Sequence, residues 1–304
     1  MKDGAKEIVL IPNAMNSIYE ESDEVPHGVK MVGALNYWKQ GYTGTDVVVA
    51  VIDTGCQMDH PDLMNNIIAG RNFTPDFGGD VSNYGDTLFH GTHVAGIIAG
   101  SLNKQGIVGV APDAKLLILK AISESGEGTY DYLIKAINYA VQWRGDTGQR
   151  VRIITMSLGG SKDHRGLNEA IRLAIKENIL IICASGNSGD NDLDTDEFMY
   201  PGYYEEVVQV GAVDLDRLLA PFSNSNDQID VYAPGVGVLS TIPNSRYAEM
   251  SGTSMAAPHV AGAAALIINK FECLSSREIS ESELFAALQQ NTDDYGKLKI
   301  LNLK

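Results

Sequence analysis

Cysteine is scarce in this 304-residue chain. Cys56, Cys183 and Cys273 are three in all, an odd set that cannot build a disulfide framework and that fits a reducing compartment, so a cytoplasmic location is expected. Long apolar runs are missing too: none reaches the roughly 18 residues a membrane-spanning helix needs. The apolar stretch at residues 8–11 is too short for a signal-peptide core, so neither a membrane partner nor export by that route is expected. Basic residues are outnumbered, 23 Lys and Arg against 39 Asp and Glu, for a net charge of −16. That field repels phosphate backbones and argues against a nucleic-acid partner, while it favours basic or neutral substrates. Internal repeats and low-complexity segments are also lacking.

What is present is globular: 44% hydrophobic and 20% charged residues, a balance that excludes a disordered or fibrous chain. A compact chain of this length buries about 75% of its unfolded surface. Residues 1–24 differ from the rest, with a short apolar segment and then an acidic cluster at Glu20, Glu21, Asp23 and Glu24. They read as an extended arm and a solvated linker ahead of one domain over 25–304.

From residue 47 the pattern alternates. Apolar runs of strand length lie at 47–52, 116–121, 151–156, 179–184 and 207–213. The first is uninterrupted, as strands buried on both faces of a parallel sheet are, and the others repeat its pattern. Helical stretches at 93–100, 132–143, 167–176 and 255–269 lie between or after them. The fold expected is α/β in three layers, a mostly parallel central sheet with helices on both faces, with ligands at the carboxyl ends of the strands. Ser280 and Glu283 have capping-box spacing ahead of a last helix. The closing residues 300–303 suit an edge strand or a contact with a second subunit.

Three polar residues sit where such a sheet does chemistry. Asp53 ends an apolar strand, His90 opens His90-Gly91-Thr92-His93, and Ser254 lies in a small-residue turn before a helix. A serine hydroxyl is a weak nucleophile until a neighbouring base takes its proton. Histidine suits that task, and a carboxylate on its far nitrogen fixes the tautomer. His90 and His93 could alternatively be a metal pair at helical spacing, but no further ligand motif accompanies them. A nucleotide-binding enzyme is disfavoured because Gly235-Val236-Gly237-Val238-Leu239-Ser240 lacks the third glycine and the following acid.

The order Asp, His, Ser and its surroundings resemble the subtilisin-like serine proteases from about residue 25 to 292. The matching blocks are Val51-Ile52-Asp53-Thr54-Gly55, His90-Gly91-Thr92-His93-Val94-Ala95-Gly96, Met156-Ser157-Leu158-Gly159-Gly160, Ala184-Ser185-Gly186-Asn187, and Gly252-Thr253-Ser254-Met255-Ala256-Ala257-Pro258-His259-Val260-Ala261-Gly262. Each block is weak alone; five in order are specific. The resemblance implies a serine endopeptidase in which Asp53 orients His90, His90 is general base and then acid, and Ser254 is the nucleophile. Asn187 and the Ser254 backbone N–H would serve the oxyanion. A catalytically silent binding relative is the rival from another class.

Protein and peptide substrates would add as a strand between Ser125-Gly126-Glu127-Gly128 and Ser157-Leu158-Gly159. Met199, where the family often has a small residue, is expected to narrow the main side-chain pocket. The resemblance also implies calcium, on Asp62, Asn103 and the carbonyls of Ser101, Gln105 and Ile107, with Asp23 replacing one family ligand. A second, monovalent or divalent cation would use carbonyls of Gly202, Tyr204 and Val207 with the Asp230 carboxylate. The short arm and the free cysteines resemble the intracellular subtilisins of bacilli, whose extension carries Leu-Ile-Pro-Tyr. Here Leu10-Ile11-Pro12-Asn13 matches three of four positions. The arm is expected to inhibit as a false substrate, since Pro12 has no N–H for a strand. A homodimer is a further implication of that resemblance.

Overall fold

The computed structural model describes residues 7–304; residues 1–6 of the arm and the side chains of Asp23 and Glu24 lie outside the described ones. The N-terminal segment contributes β1 (Ile8–Leu10), β2 (Ala14–Tyr19) and β3 (Asp23–Glu24), followed by the short helices α1 (His27–Met31) and α2 (Ala34–Trp38). Next come β4 (Val48–Asp53), β5 (Ile67–Asn72), α3 (His90–Ala99), β6 (Gly106–Ile107), β7 (Lys115–Lys120), β8 (Glu127–Gly128), α4 (Tyr130–Gln142), β9 (Val151–Met156), β10 (Leu158–Gly159) and α5 (Arg165–Lys176). The remainder is β11 (Leu180–Ala184), β12 (Val208–Val213), β13 (Ile229–Pro234), β14 (Val238–Ile242), β15 (Arg246–Ser251), α6 (Thr253–Ser275), α7 (Glu281–Gln290), β16 (Thr292–Tyr295) and β17 (Leu298–Leu301).

The central sheet has the order β16-β17-β13-β12-β11-β9-β4-β7-β5, with every neighbour parallel except β16 and β17. All of β4 is buried, because its two faces meet two different layers. Val49 and Val51 pack with α3 and α6; Val48, Ala50 and Ile52 pack with α4 and α5. This is the three-layer α/β architecture, and the apolar runs that signalled it are the strands themselves.

Three differences from the sequence reading have physical causes. Helix α3 starts at His90 rather than at 93, and α6 runs to Ser275 rather than 269. Residues 300–303 do not form an edge strand: β17 lies between β13 and β16, and β16 makes the edge. The arm is not a free linker after residue 13. Ala14–Tyr19 pairs antiparallel with β15, and Asp23–Glu24 pairs parallel with β6, so backbone hydrogen bonds hold a segment whose side chains are largely exposed.

Candidate active site

Asp53 is the last residue of β4, and His90 is the first of α3. Gly91 lets the two meet: a Cβ there would lie 2.1 Å from the Gly55 carbonyl oxygen and 3.2 Å from Asp53 Oδ1. Gly55 (φ 107°) adopts a backbone that side chains disfavour, and it turns the chain sharply at the strand's end. The result is a His90 Nδ1 to Asp53 Oδ1 hydrogen bond of 2.7 Å, both groups buried. Asp53 Oδ1 also accepts the Thr54 N–H at 2.7 Å. Thr54 Oγ1 in turn accepts from the Gly91 N–H and donates to Asp86, which ties the strand end to the helix start.

Ser254 stands in the first turn of α6. Pro258, four residues on, has no N–H to give the Ser254 carbonyl, and the Ser157 hydroxyl donates to that carbonyl instead at 3.0 Å. The Ser254 hydroxyl donates to the Ser157 carbonyl at 3.3 Å. His90 Nε2 is buried and has no hydrogen-bond partner among the described residues, so the expected Ser254–His90 bond is not made in this arrangement. Helices α3 and α6, which carry the two residues, pack directly on each other.

Asn187 follows β11. Its Oδ1 accepts from the Thr253 N–H (2.8 Å) and hydroxyl (2.9 Å), capping α6 and fixing the amide. Its Nδ2 donates to the Pro12 carbonyl. Gly252 leaves room for this: a Cβ there would stand 2.9 Å from Asn187 Nδ2.

The two expected substrate segments are β8 and β10 with their flanks, and β1 of the arm lies between them. Val9 faces Gly159 and Glu127, Leu10 faces Leu158, Ile8 faces Gly128, and the Leu10 N–H donates to the Gly126 carbonyl at 3.0 Å. Ser125 stands beside this strand, its hydroxyl 2.8 Å from that of Ser123. Ile8 and Ile11 are fully buried. Met199 presses on the same wall, since a Cβ on Gly159 would meet its Cγ at 2.5 Å.

Asp62 is buried beside loop 101–107. Its Oδ2 accepts from the Ile107 N–H and the Tyr247 hydroxyl, each at 3.0 Å. Its Oδ1 accepts from Asn103 Nδ2 at 2.9 Å, so Asn103 presents its amide N–H to the carboxylate, whereas the sequence reading had it offer an oxygen to a cation. Asn103 Oδ1 accepts the Gln105 N–H, and the Ser101 N–H meets the Asp62 carbonyl. At the second position the Tyr204 carbonyl accepts the Val207 N–H. Asp230 accepts from the Gln209 N–H, and burial pushes its carboxyl up to about 6. The neighbouring Gln209 side chain, beside Gly202, is buried with both polar atoms unpartnered among the described residues.

His93 Nε2 donates to the Ala248 carbonyl (3.0 Å), and burial lowers it to about 3, so it is a neutral packed residue. His259 is likewise lowered to about 4 by burial. Burial and the nearby Asp86 push the Cys56 thiol well up, which makes it a poor thiolate three residues from Asp53.

A parallel α/β sheet that brings an aspartate–histidine pair and a helix-start serine to one edge is the framework of a serine hydrolase. Comparison narrows this to one family: the model of the subtilase family matches residues 44–302. The chain is 49% identical over 287 residues to the major intracellular serine protease of Bacillus subtilis (strain 168), covering 94% of this chain and 88% of that protein. It is 48% identical over 291 residues to the intracellular serine protease of Paenibacillus polymyxa (96% and 87% covered) and 39% identical over 280 residues to subtilisin E of Bacillus subtilis (92% and 70% covered). The chain belongs to the subtilase family and is a subtilisin-like serine endopeptidase.

Proposed function

We propose that this endopeptidase cleaves cytoplasmic proteins through Asp53, His90 and Ser254, and that its own N-terminal arm holds it inactive until a second copy removes it. Asp53 holds His90 with Nδ1 protonated, leaving Nε2 to take the Ser254 proton as the hydroxyl attacks the peptide carbonyl. His90 then gives that proton to the leaving amine, and water releases the acyl group by the same route. Asn187 Nδ2 and the Ser254 N–H receive the oxyanion.

The observation that carries the inhibition is the strand Ile8–Leu10 lying between β8 and β10, with the Asn187 amide on the carbonyl of Pro12. A residue bound there as substrate would give its N–H to the wall. Pro12 has none, and the Ser254 hydroxyl is turned to the Ser157 carbonyl instead. Burying Ile8 and Ile11 holds the segment by roughly 1.5–3 kcal/mol each. A tethered segment also acts at an effective concentration on the order of millimolar, which micromolar substrate does not displace. Peptide hydrolysis by the full chain should therefore be at least about tenfold slower than by a form starting near Ser22. Equal rates per mole of protein reject the inhibition.

Specificity follows from Met199, whose side chain fills space over Gly159. Met199→Gly is expected to raise the preference for Phe over Leu before the cut by about tenfold in kcat/KM. An unchanged ratio removes Met199 from the pocket.

The ligands expected around Asp62 would all be hard oxygens, which suits calcium, once the Asn103 amide that now donates its N–H to the carboxylate is reversed. Asp62, Asn103 with its amide reversed, and the carbonyls of Ser101, Gln105 and Ile107 would hold the ion, which would supply charge to brace the loop. At the second position, a cation near Gly202, Tyr204 and Val207 would offset the cost of ionising Asp230, which the buried, unpartnered Gln209 amide beside it does not do.

A further inference from the structure

Lys120 ends β7 with no exposed surface, and all three of its N–H groups are used. Its Nζ donates to the Thr54 carbonyl at 2.7 Å and to the Ile122 carbonyl at 3.0 Å, and pairs with Asp76 Oδ2 at 3.0 Å. The same Asp76 oxygen accepts the Glu124 N–H at 2.8 Å. Asp76 is itself anchored, its N–H on Thr74 Oγ1 and its carbonyl on Asn72 Nδ2. One buried ion pair thus reaches in two directions. Through Thr54, whose N–H holds Asp53 Oδ1, it reaches the aspartate–histidine pair. Through Glu124 it reaches the turn that carries Gly126 and β8, the wall on which Leu10 is hydrogen-bonded.

An ion pair removed from water costs several kcal/mol per ion before its contacts repay it, and well-packed apolar residues often serve stability as well. Stability alone therefore gives this pair little reason to exist where it does. Its geometry does. We infer that Lys120 and Asp76 are positioning residues that fix the cleft wall at β8 relative to the carboxylate of Asp53, so that a peptide bound along the wall arrives in line with Ser254. The inference rests on the reading of Ser254 and His90 given above. It adds that long peptides benefit from the pair more than short acyl groups do, because only long peptides reach β8.

The test uses the form trimmed near Ser22, with rates expressed per fluorophosphonate-titrated site, on a single-residue N-acetyl ester and on a tetrapeptide anilide. Asp76→Ala, which releases Glu124, should lower the ratio of tetrapeptide to ester kcat/KM by roughly fivefold, mainly through KM. Asp76→Asn keeps an acceptor for both donors and should restore that ratio to within about twofold. Lys120→Met, which also frees the Thr54 carbonyl, should lower kcat on both substrates by about tenfold. A purely structural pair would lower the melting temperature and the titrated fraction while leaving rates per site alone. An unchanged ratio in Asp76→Ala overturns the inference, and it does so even if Lys120→Met fails to fold. Failure of the parent enzyme to hydrolyse the ester would instead strike at Ser254, so the two readings fail separately.

Discussion

Replacing Ser254 by Ala in the trimmed enzyme is expected to lower kcat on a peptide anilide by about a millionfold, a magnitude carried over from subtilisin itself. The reason is that, in the proposed mechanism, the three groups act as one device. Asp53 and His90 are already locked at 2.7 Å, but a base without an alcohol to deprotonate does nothing for the bond under attack. His90→Ala should cost about the same, and the double variant no more than either alone. What remains, about a thousandfold over water, is expected to come from Asn187, the Ser254 N–H and the cleft walls in the proposed mechanism. Steady-state kinetics per mole of folded protein decides the point. Either single variant retaining more than about one part in a hundred of the parent kcat, or losses that multiply in the double variant, would remove the triad from the mechanism.

Much of this was open to inspection in the amino-acid order, and what was not has identifiable causes. The strands β4, β7, β9, β11 and β12 announce themselves because a strand covered on both faces is mostly apolar along its length. Asp53, His90, Ser254 and Asn187 are legible because each sits in a block whose glycines and small residues the close approach demands. The start of α3 at His90 is not legible, because Phe89 takes a left-handed backbone that no local signal marks, and Gly91, a poor helix former, is there for contact with Gly55. The pairing of Ala14–Tyr19 with β15 could not be read, since the edge of β15 supplies the hydrogen bonds and side-chain pattern contributes little. Lys120 reads in the sequence as the polar end of an apolar strand. Its burial depends on Asp76, Thr54 and Glu124, which come from three other segments and meet only in the fold. The orientation of Asn103 toward Asp62 is of the same kind, a choice between amide ends that residue type leaves open.

Asn187→Ala should have opposite consequences in the two forms of the enzyme. In the trimmed form it removes the donor proposed to meet the oxyanion in the transition state, so kcat is expected to fall by about 10²–10³, or roughly 3–4 kcal/mol, again as in subtilisin. KM should hardly move, because the ground-state carbonyl gains little from that donor. In the full chain the same amide is bonded to the Pro12 carbonyl, and its loss weakens the arm by the net worth of one hydrogen bond, about 0.5–1.5 kcal/mol. The advantage of the trimmed over the full chain should therefore shrink by about two- to tenfold in the variant, while both forms become slow. The cap on α6 is lost as well, since Oδ1 accepts from Thr253, and a lower melting temperature is expected. Rates per titrated site separate that effect from catalysis. A fall in kcat/KM carried by KM alone would mean that Asn187 holds substrate rather than the oxyanion. An undiminished advantage of the trimmed form would mean that the arm is held by Ile8, Ile11 and the strand pairing without help from the amide.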